Sequence, residues 1–145
     1  MKAVIQRVRR GQVSVSDRTV AEIARGVVIL LGIGHGDGAE EIDYLVSKIA
    51  NLRIFEDDQG KMNLSLLEVG GSAIVVSQFT LYADTSRGRR PSFVNAAPPD
   101  IASPLVDRFI KALNSAGVPA QGGEFGAYMQ VELVNDGPVT IILDR

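Results

Sequence analysis

The fold of this chain is decided by residues 2–33, KAVIQRVRRGQVSVSDRTVAEIARGVVILLGI, in which apolar residues alternate with polar ones or follow one another directly. Both patterns are typical of β-strands. Gly11, Asp17-Arg18 and Gly26 interrupt the pattern. The sequence therefore predicts four successive strands, at 2–9, 12–16, 19–25 and 26–33.

The rest of the chain adds further strands and two helices. Other β-type runs occur at 51–55, 72–82, 127–134 and 139–143. Residues 39–50 and 101–116 instead repeat apolar residues every three or four positions, which is the spacing of a helix buried on one face. Many strands with only two helices predict an α+β fold whose sheet is curled or mostly antiparallel.

Length and composition predict one compact domain covering residues 1–145, because a chain of this size with 46% hydrophobic residues fills a single core. The chain has no cysteine, which excludes disulfides, thiol nucleophiles and zinc–thiolate sites. Its single histidine, His35, excludes a multi-histidine metal cluster. We therefore expect neither a metal site nor a cofactor.

Hydropathy predicts no membrane partner. No apolar run reaches the roughly 18 residues of a membrane span. The first residues also lack the apolar core of a signal peptide. A soluble cytoplasmic protein is the expectation.

The charge balance argues against a general nucleic-acid coat protein, since the formal net charge is −2. The charges are nevertheless unevenly spread. Basic residues cluster in residues 1–10 and again at Arg87, Arg89 and Arg90, whereas acids concentrate in residues 37–58. Solvated surface is the ordinary interpretation of such clusters. A basic loop followed by Phe93 suits phosphate contacts equally well.

A glycine-rich segment, residues 34–39, fits the dinucleotide-binding pattern G-x-G-x-x-A, with Glu56 at the expected distance. Asp37 and the two glutamates that follow at 40 and 41 would oppose a pyrophosphate at that helix start. A plain connection, with His35 in an exposed loop, is the favoured interpretation.

Two polar motifs carry the remaining chemical signal. Ser77-Gln78-Phe79-Thr80-Leu81 ends an apolar run, where a strand leaving the core uses polar groups to satisfy its backbone. It has no evident base, because the chain lacks G-x-S-x-G and His35 is the sole imidazole. Asn135-Asp136-Gly137-Pro138-Val139-Thr140 separates two strands and predicts a hairpin turn, with a rigid backbone clamp as the alternative.

Together these two motifs resemble the signatures of the D-aminoacyl-tRNA deacylases. Four shorter stretches extend the resemblance over the whole chain: 53–57, 60–65, 89–93 and 125–127. The resemblance implies a homodimer of a barrel-like β fold with two helices, and active sites at the subunit interface. It also implies hydrolysis of the ester that links a D-amino acid, or glycine, to the terminal ribose of tRNA.

The resemblance assigns roles to individual residues. Gly137-Pro138 is expected to be a cis dipeptide that reaches the partner's site, binds the substrate amino group through its carbonyls, and blocks an L side chain. Ser77 and Gln78 are expected to shape or bind the substrate. The uneven spread of charge makes Arg7, Arg87, Arg89 and Arg90 the expected contacts to tRNA phosphates, with the acidic stretch 37–58 facing away from RNA.

Two hypotheses describe the chemical step. Either the Thr80 hydroxyl attacks the ester, or backbone N–H groups near Phe79 and Thr80 stabilise the oxyanion while the ribose 2′-hydroxyl assists water. The second is favoured because Thr80 has no evident base. The competing function class is a nucleotide- or RNA-binding module without catalysis, built on residues 34–39 or on the Arg87 loop.

Overall fold

The computed structural model describes residues 1–145 as eight strands, two α-helices and one short 3-10 helix. In chain order they are β1 Lys2–Val15, β2 Arg18–Ile23, β3 Gly26–Gly32, α1 Ala39–Asn51, β4 Phe55–Glu56, β5 Met62–Leu64, β6 Ser72–Ser77, the 3-10 helix Phe79–Tyr82, α2 Pro99–Ser115, β7 Ala120–Gly122 and β8 Gln130–Asp144. Both helices predicted from apolar spacing are confirmed.

The main sheet has the order β2-β1-β3-β6-β7, and β8 pairs with the other edge of β1. β1 is antiparallel to β2, β3 and β8, whereas β3, β6 and β7 run parallel. The parallel pairs arise because α1 and then α2 lie between successive strands and return the chain to the same end of the sheet. The predicted α+β fold is confirmed, with a sheet that is mixed.

The sheet curls into a nearly closed barrel. The Gln121 side chain on β7 donates to the Glu22 carbonyl of β2 and accepts from the Glu22 N–H, at 2.8 and 3.0 Å. Seven buried residues inside the curl come only from strands. A larger cluster of 24 buried residues fills the other face, beneath α1 and α2.

Gly11 was predicted to end the first strand, but the strand continues through it. It lies within β1 and pairs with Ile23 on one side and Leu133 on the other. A side chain at Gly11 would come within 2.8 Å of Val28 Cγ2. Glycine is therefore used here for close approach inside the barrel rather than for a turn.

The hairpin predicted at residues 135–140 is wrong. Both halves of β8 pair with β1 in the same direction, with Asn135 opposite Val8 and Thr140 opposite Gln6. Four residues of β8 therefore face one residue of β1. We call residues 136–139 the β8 bulge.

The predicted strand 72–82 is shorter than expected, because β6 ends at Ser77 and the chain turns into the 3-10 helix. The alternation of side chains between the two faces of the sheet therefore ends at Ser77. No helix in the chain has the length and apolar character needed to cross a membrane.

Candidate active site

The turn after β6 presents two backbone donors without partners. The Gln78 N–H donates to the Leu31 carbonyl at 2.8 Å, and the Leu81 N–H donates to the Gln78 carbonyl at 3.3 Å. Between them, the N–H groups of Phe79 and Thr80 open the 3-10 helix and donate to no group of the chain. Two adjacent N–H groups are thus available to an oxygen atom of a ligand.

A cavity of about 570 Å³ lies beside this turn. Its walls are mainly apolar and include Phe79, Phe93 and Phe125, while Ser77 and Gln78 supply polar groups. The rings of Phe79 and Phe93 meet edge to face, with centroids 4.9 Å apart. An apolar cavity with a few polar groups at one end is the usual form of a small-molecule site.

Thr80 has no base beside it. Its Oγ1 accepts a hydrogen bond from Gln78 Nε2, and an amide cannot take up a proton. His35 lies elsewhere in an exposed loop, as expected, where Nε2 contacts the Val94 carbonyl at 2.9 Å. No three histidine, aspartate or glutamate side chains are grouped as a metal site requires.

Tyr82 anchors the end of the 3-10 helix. Its hydroxyl donates to Asp37 Oδ2 at 3.4 Å. Partial burial is the main cause that raises the pKa of the phenol, and the charge of Asp37 is the second. The phenol therefore stays protonated and remains a donor. Asp37 also accepts from the Gly34 N–H at 2.6 Å and from the Met1 ammonium group at 2.7 Å. Because Asp37 occupies the Gly34 N–H, residues 34–39 are not a phosphate cradle.

Arg7 lies beneath the β8 bulge and is only 4% exposed. Its Nε donates to the Asp136 carbonyl at 2.8 Å, and Nη1 donates to the Ile54 carbonyl at 2.5 Å. Nη2 lies 3.8 Å from Glu56 Oε1. The expectation that Arg7 grips tRNA phosphate is wrong for this structure, because its guanidinium is enclosed and already bonded to protein oxygens.

The β8 bulge is also braced from its ends. Asn135 Oδ1 accepts from the Val139 N–H at 2.8 Å, and Asn135 Nδ2 donates to Thr140 Oγ1 at 3.2 Å. The Gly137-Pro138 peptide bond is cis, and Gly137 has a φ of +144°. Sequence reasoning missed this Asn135 brace, since its partners become neighbours only once the bulge has formed.

At the surface of the bulge, Arg9 Nε donates to Asp136 Oδ1 at 2.8 Å. This hydrogen bond lowers the pKa of the Asp136 carboxyl below its usual value. Unlike Arg7, the Arg9 side chain is 76% exposed. The bulge therefore has one buried and one solvent-facing arginine contact.

Within one chain, the β8 bulge and the motif at 77–81 lie far apart. The bulge faces Arg7 of β1, whose partner on β3 is Val27, and Val27 pairs with Ala73 of β6. Ala73 precedes Ser77 by four residues, which is about 13 Å along a strand. Three strand spacings, about 14 Å, also separate β8 from β6 across the sheet.

Arg87, Arg89 and Arg90 lie on an exposed loop closed by two backbone hydrogen bonds between Asp84 and Ser92. None of the three arginines forms an ion pair. The loop leads directly into Phe93 of the cavity wall. Unpaired positive charge is thus held next to the cavity.

Comparison with known proteins identifies the family. The family described as D-Tyr-tRNA(Tyr) deacylase matches residues 4–144 of this chain. A D-aminoacyl-tRNA deacylase of Chloroflexus aurantiacus is 60% identical over 144 residues, covering 99% of this chain and 90% of the relative. One of Thermosipho africanus is 55% identical, covering 99% of this chain and 97% of the relative. The chain belongs to the D-aminoacyl-tRNA deacylase family.

Membership gives the reaction class, which is hydrolysis of a D-amino acid from its tRNA ester. Solved structures agree with the fold. A structure titled c-Myc DNA Unwinding Element Binding Protein superposes with a TM-score of 0.94 and 41% identity, covering 100% of this chain and 99% of that one. A probable eukaryotic D-amino acid tRNA deacylase superposes with a TM-score of 0.84 at 20% identity, covering 99% and 98%, and supports the fold alone.

For a deacylase the turn after β6 has suitable chemistry. Ester hydrolysis passes through a tetrahedral oxyanion, which is stabilised by two converging N–H donors. The aromatic walls of the cavity suit the flat base at the end of a tRNA. Sequence reasoning identified the motif at 77–81 and favoured backbone N–H groups near Phe79 and Thr80 as oxyanion donors. In the structure these two N–H groups have no partner in the chain.

Proposed function

We propose that this deacylase is a chiral proofreader that acts in the cytoplasm as a homodimer. Gly137-Pro138 of each subunit would close the cavity of the other. The observation that carries the proposal is the separation of the two motifs within one chain, although their chemistry is complementary. A second copy supplies the missing half, because a two-fold interface contributes each motif to the other subunit.

The proposed basis of selectivity is exclusion of the L side chain. Favourable contacts with one methyl or methylene group discriminate by only about 10- to 200-fold. A backbone wall near the α-carbon excludes the side chain of every L-amino acid by steric clash and leaves the D side chain unconstrained. The carbonyls of the partner's Gly137 and the partner's Pro138 would accept hydrogen bonds from the substrate ammonium group.

Glycyl-tRNA is expected to be a substrate by the same argument. Glycine has no side chain for the wall to exclude. Its ammonium group can meet the same carbonyls.

We assign the chemical step to positioning rather than to a nucleophile. The free N–H groups of Phe79 and Thr80 would stabilise the oxyanion, while the ribose 2′-hydroxyl assists the attacking water. Ser77 and Gln78 would shape the cavity end, and Gln78 orients the Thr80 side chain. The absence of a base beside Thr80 supports this assignment over an acyl-enzyme.

We assign the contacts to tRNA phosphates, here called the tRNA grip, to the loop arginines Arg87, Arg89 and Arg90. The acidic stretch 37–58 would face away from the RNA. A small local grip suits an enzyme that must release each tRNA, because affinity rises steeply with the number of neutralised phosphates. The net charge of −2 is compatible with such a grip.

The decisive experiment is incubation of the protein with matched D- and L-tyrosyl-tRNA. We expect rapid release of D-tyrosine and no release of L-tyrosine above the spontaneous rate. Equal release of both would contradict chiral selection. Binding of both without release would favour the RNA-binding module.

A second experiment separates the two chemical hypotheses. Thr80→Ala keeps the backbone N–H groups, so most of the activity should remain if they are the catalytic donors. A substrate with a terminal 2′-deoxyribose, and so a 3′-linked ester, should react about 100-fold more slowly, because it lacks the assisting hydroxyl. Loss of activity in Thr80→Ala with a normal rate on the deoxy substrate would instead support the acyl-enzyme.

A further inference from the structure

Tyr128 combines two properties that do not usually occur together. It contributes to the cavity lining, yet its residue surface is 90% exposed, the largest exposure among the large hydrophobic residues. Its ring is not part of the aromatic pair that Phe79 and Phe93 form. The side chain must therefore stand at the mouth of the cavity with the ring free.

The surroundings of Tyr128 are apolar. Phe79, Phe125 and Val131 line the same cavity and are themselves 56%, 37% and 36% exposed. Single exposed apolar residues are common, but several around one cavity mouth indicate a binding surface. Because the ring lies outside the enclosed part of the cavity, its ligand must extend beyond the group bound inside.

Charge indicates which ligand this is. No acidic residue lines the cavity, and the loop of Arg87, Arg89 and Arg90 enters its wall through Phe93. Single-stranded nucleic acid is commonly bound by an exposed aromatic ring together with positive charge along the same surface, since bases stack on the ring and phosphates meet the charges.

We propose that Tyr128 stacks on the base of the cytidine that precedes the terminal adenosine of tRNA. The inference rests on the proposed function, in which the ester carbonyl lies at the N–H groups of Phe79 and Thr80. With the terminal nucleotide held there, the preceding nucleotide leaves through the cavity mouth, where Tyr128 stands. The contact would recognise the single-stranded end common to all tRNAs without selecting among amino acids.

The test compares two substrates that differ in this nucleotide, D-tyrosyl-tRNA and D-tyrosyl-adenosine. Tyr128→Ala should raise KM for D-tyrosyl-tRNA about tenfold, since stacking on one aromatic ring has roughly that effect on affinity. Its kcat should be unchanged, and both constants for D-tyrosyl-adenosine should equal those of the wild type. Tyr128→Phe keeps the ring and should match the wild type on both substrates.

Three results would overturn the proposal. They are an unchanged KM for D-tyrosyl-tRNA in Tyr128→Ala, an equal rise in KM for both substrates, and a loss of dimer in sedimentation velocity. The last would show that a second copy of the chain covers the ring. If the wild type releases no D-tyrosine, the proposed function fails; if it does and Tyr128→Ala behaves identically, only this inference fails.

Discussion

The turn after β6 and the β8 bulge use their backbone polar groups in opposite ways. In the turn, the N–H groups of Phe79 and Thr80 have no partner in the chain. In the bulge, side chains bind the backbone from both sides, with Arg7 on the Asp136 carbonyl and Asn135 on the Val139 N–H. One segment offers hydrogen bonds and the other is fixed by them.

This contrast corresponds to two requirements of a stereoselective hydrolase. Donors for an oxyanion are effective when they are already oriented and not engaged elsewhere. A wall that excludes one enantiomer must resist displacement by the excluded side chain, so its supports must be stiff. We therefore expect the bulge to be stiff and the N–H donors of the turn to be free for substrate.

The largest effect is expected from removing the buried support of the bulge. Arg7→Met leaves the carbonyls of Asp136 and Ile54 without their charged donor. We expect the free energy of unfolding in urea to fall by about 3 kcal/mol, because these are hydrogen bonds to an enclosed charge. Arg9→Met is the matched control, and its exposed arginine should contribute about 0.5 kcal/mol. Equal losses in the two variants would show that burial of Arg7 adds nothing to the stiffness of the bulge.

The next effect is on selectivity and comes from Gly137→Ala. The added Cβ would lie 2.8 Å from Val139 Cγ2 and 3.2 Å from Arg7 Nη2, at a φ of +144° that an L side chain rarely adopts. The bulge must therefore shift, and we expect the ratio of D- to L-tyrosyl-tRNA hydrolysis to fall about tenfold or more, through faster L hydrolysis.

Gly60→Ala controls for the backbone effect of that substitution. Gly60 also has a positive φ, +73°, but no atom lies within 4 Å of its added Cβ. The ratio of D to L hydrolysis should not change in this variant. An unchanged ratio in Gly137→Ala would remove the wall from the explanation of chirality.

The sequence predicted the regular helices and strands better than it predicted the β8 bulge. Apolar spacing correctly predicted both helices and most of the strands, because alternation reports directly which face of an element is buried. The residue types at 135–140 wrongly predicted a hairpin, since Asn, Asp, Gly and Pro favour a turn and a bulge alike. Only the pairing of both halves of β8 with β1 distinguishes a bulge from a turn, and that pairing is a long-range contact.

Arg7 illustrates the same limit. In the sequence it stands with Lys2, Arg9 and Arg10 in a basic cluster, which indicates a surface. In the fold, β1 turns the odd-numbered residue Arg7 inward, where carbonyl oxygens from two distant segments bind it. Charge patterning reports composition, whereas burial of a charge depends on partners that arrive from elsewhere in the chain.

A smaller effect, on the salt dependence of KM, should show that the loop arginines bind tRNA without contributing to chiral selection by the bulge. In Arg89→Gln/Arg90→Gln, two phosphate contacts would be lost, and the slope of log KM for D-tyrosyl-tRNA against log salt concentration should decrease by about 1.4. The ratio of D to L hydrolysis should stay constant. Arg108→Gln/Lys111→Gln on α2 removes the same charge from another exposed surface and should leave the slope unchanged. If the α2 variant changes the slope and the loop variant does not, the tRNA grip lies on the helix.

The smallest effect is expected at the exposed rim of the bulge. Arg9 lowers the pKa of Asp136, so the pair stabilises the folded chain above the ordinary aspartate pKa of about 4 and loses this effect as pH falls through the lowered value. A double-mutant cycle of Arg9→Gln and Asp136→Asn should give a coupling free energy of about 0.5 kcal/mol at neutral pH, as exposed ion pairs do. Arg18 and Glu124, 3.0 Å apart and remote from the bulge, provide a matched pair for which similar coupling is expected. If the Arg9–Asp136 cycle instead gave a coupling as large as the loss in Arg7→Met, stiffness would come from the surface of the bulge rather than from the arginine beneath it.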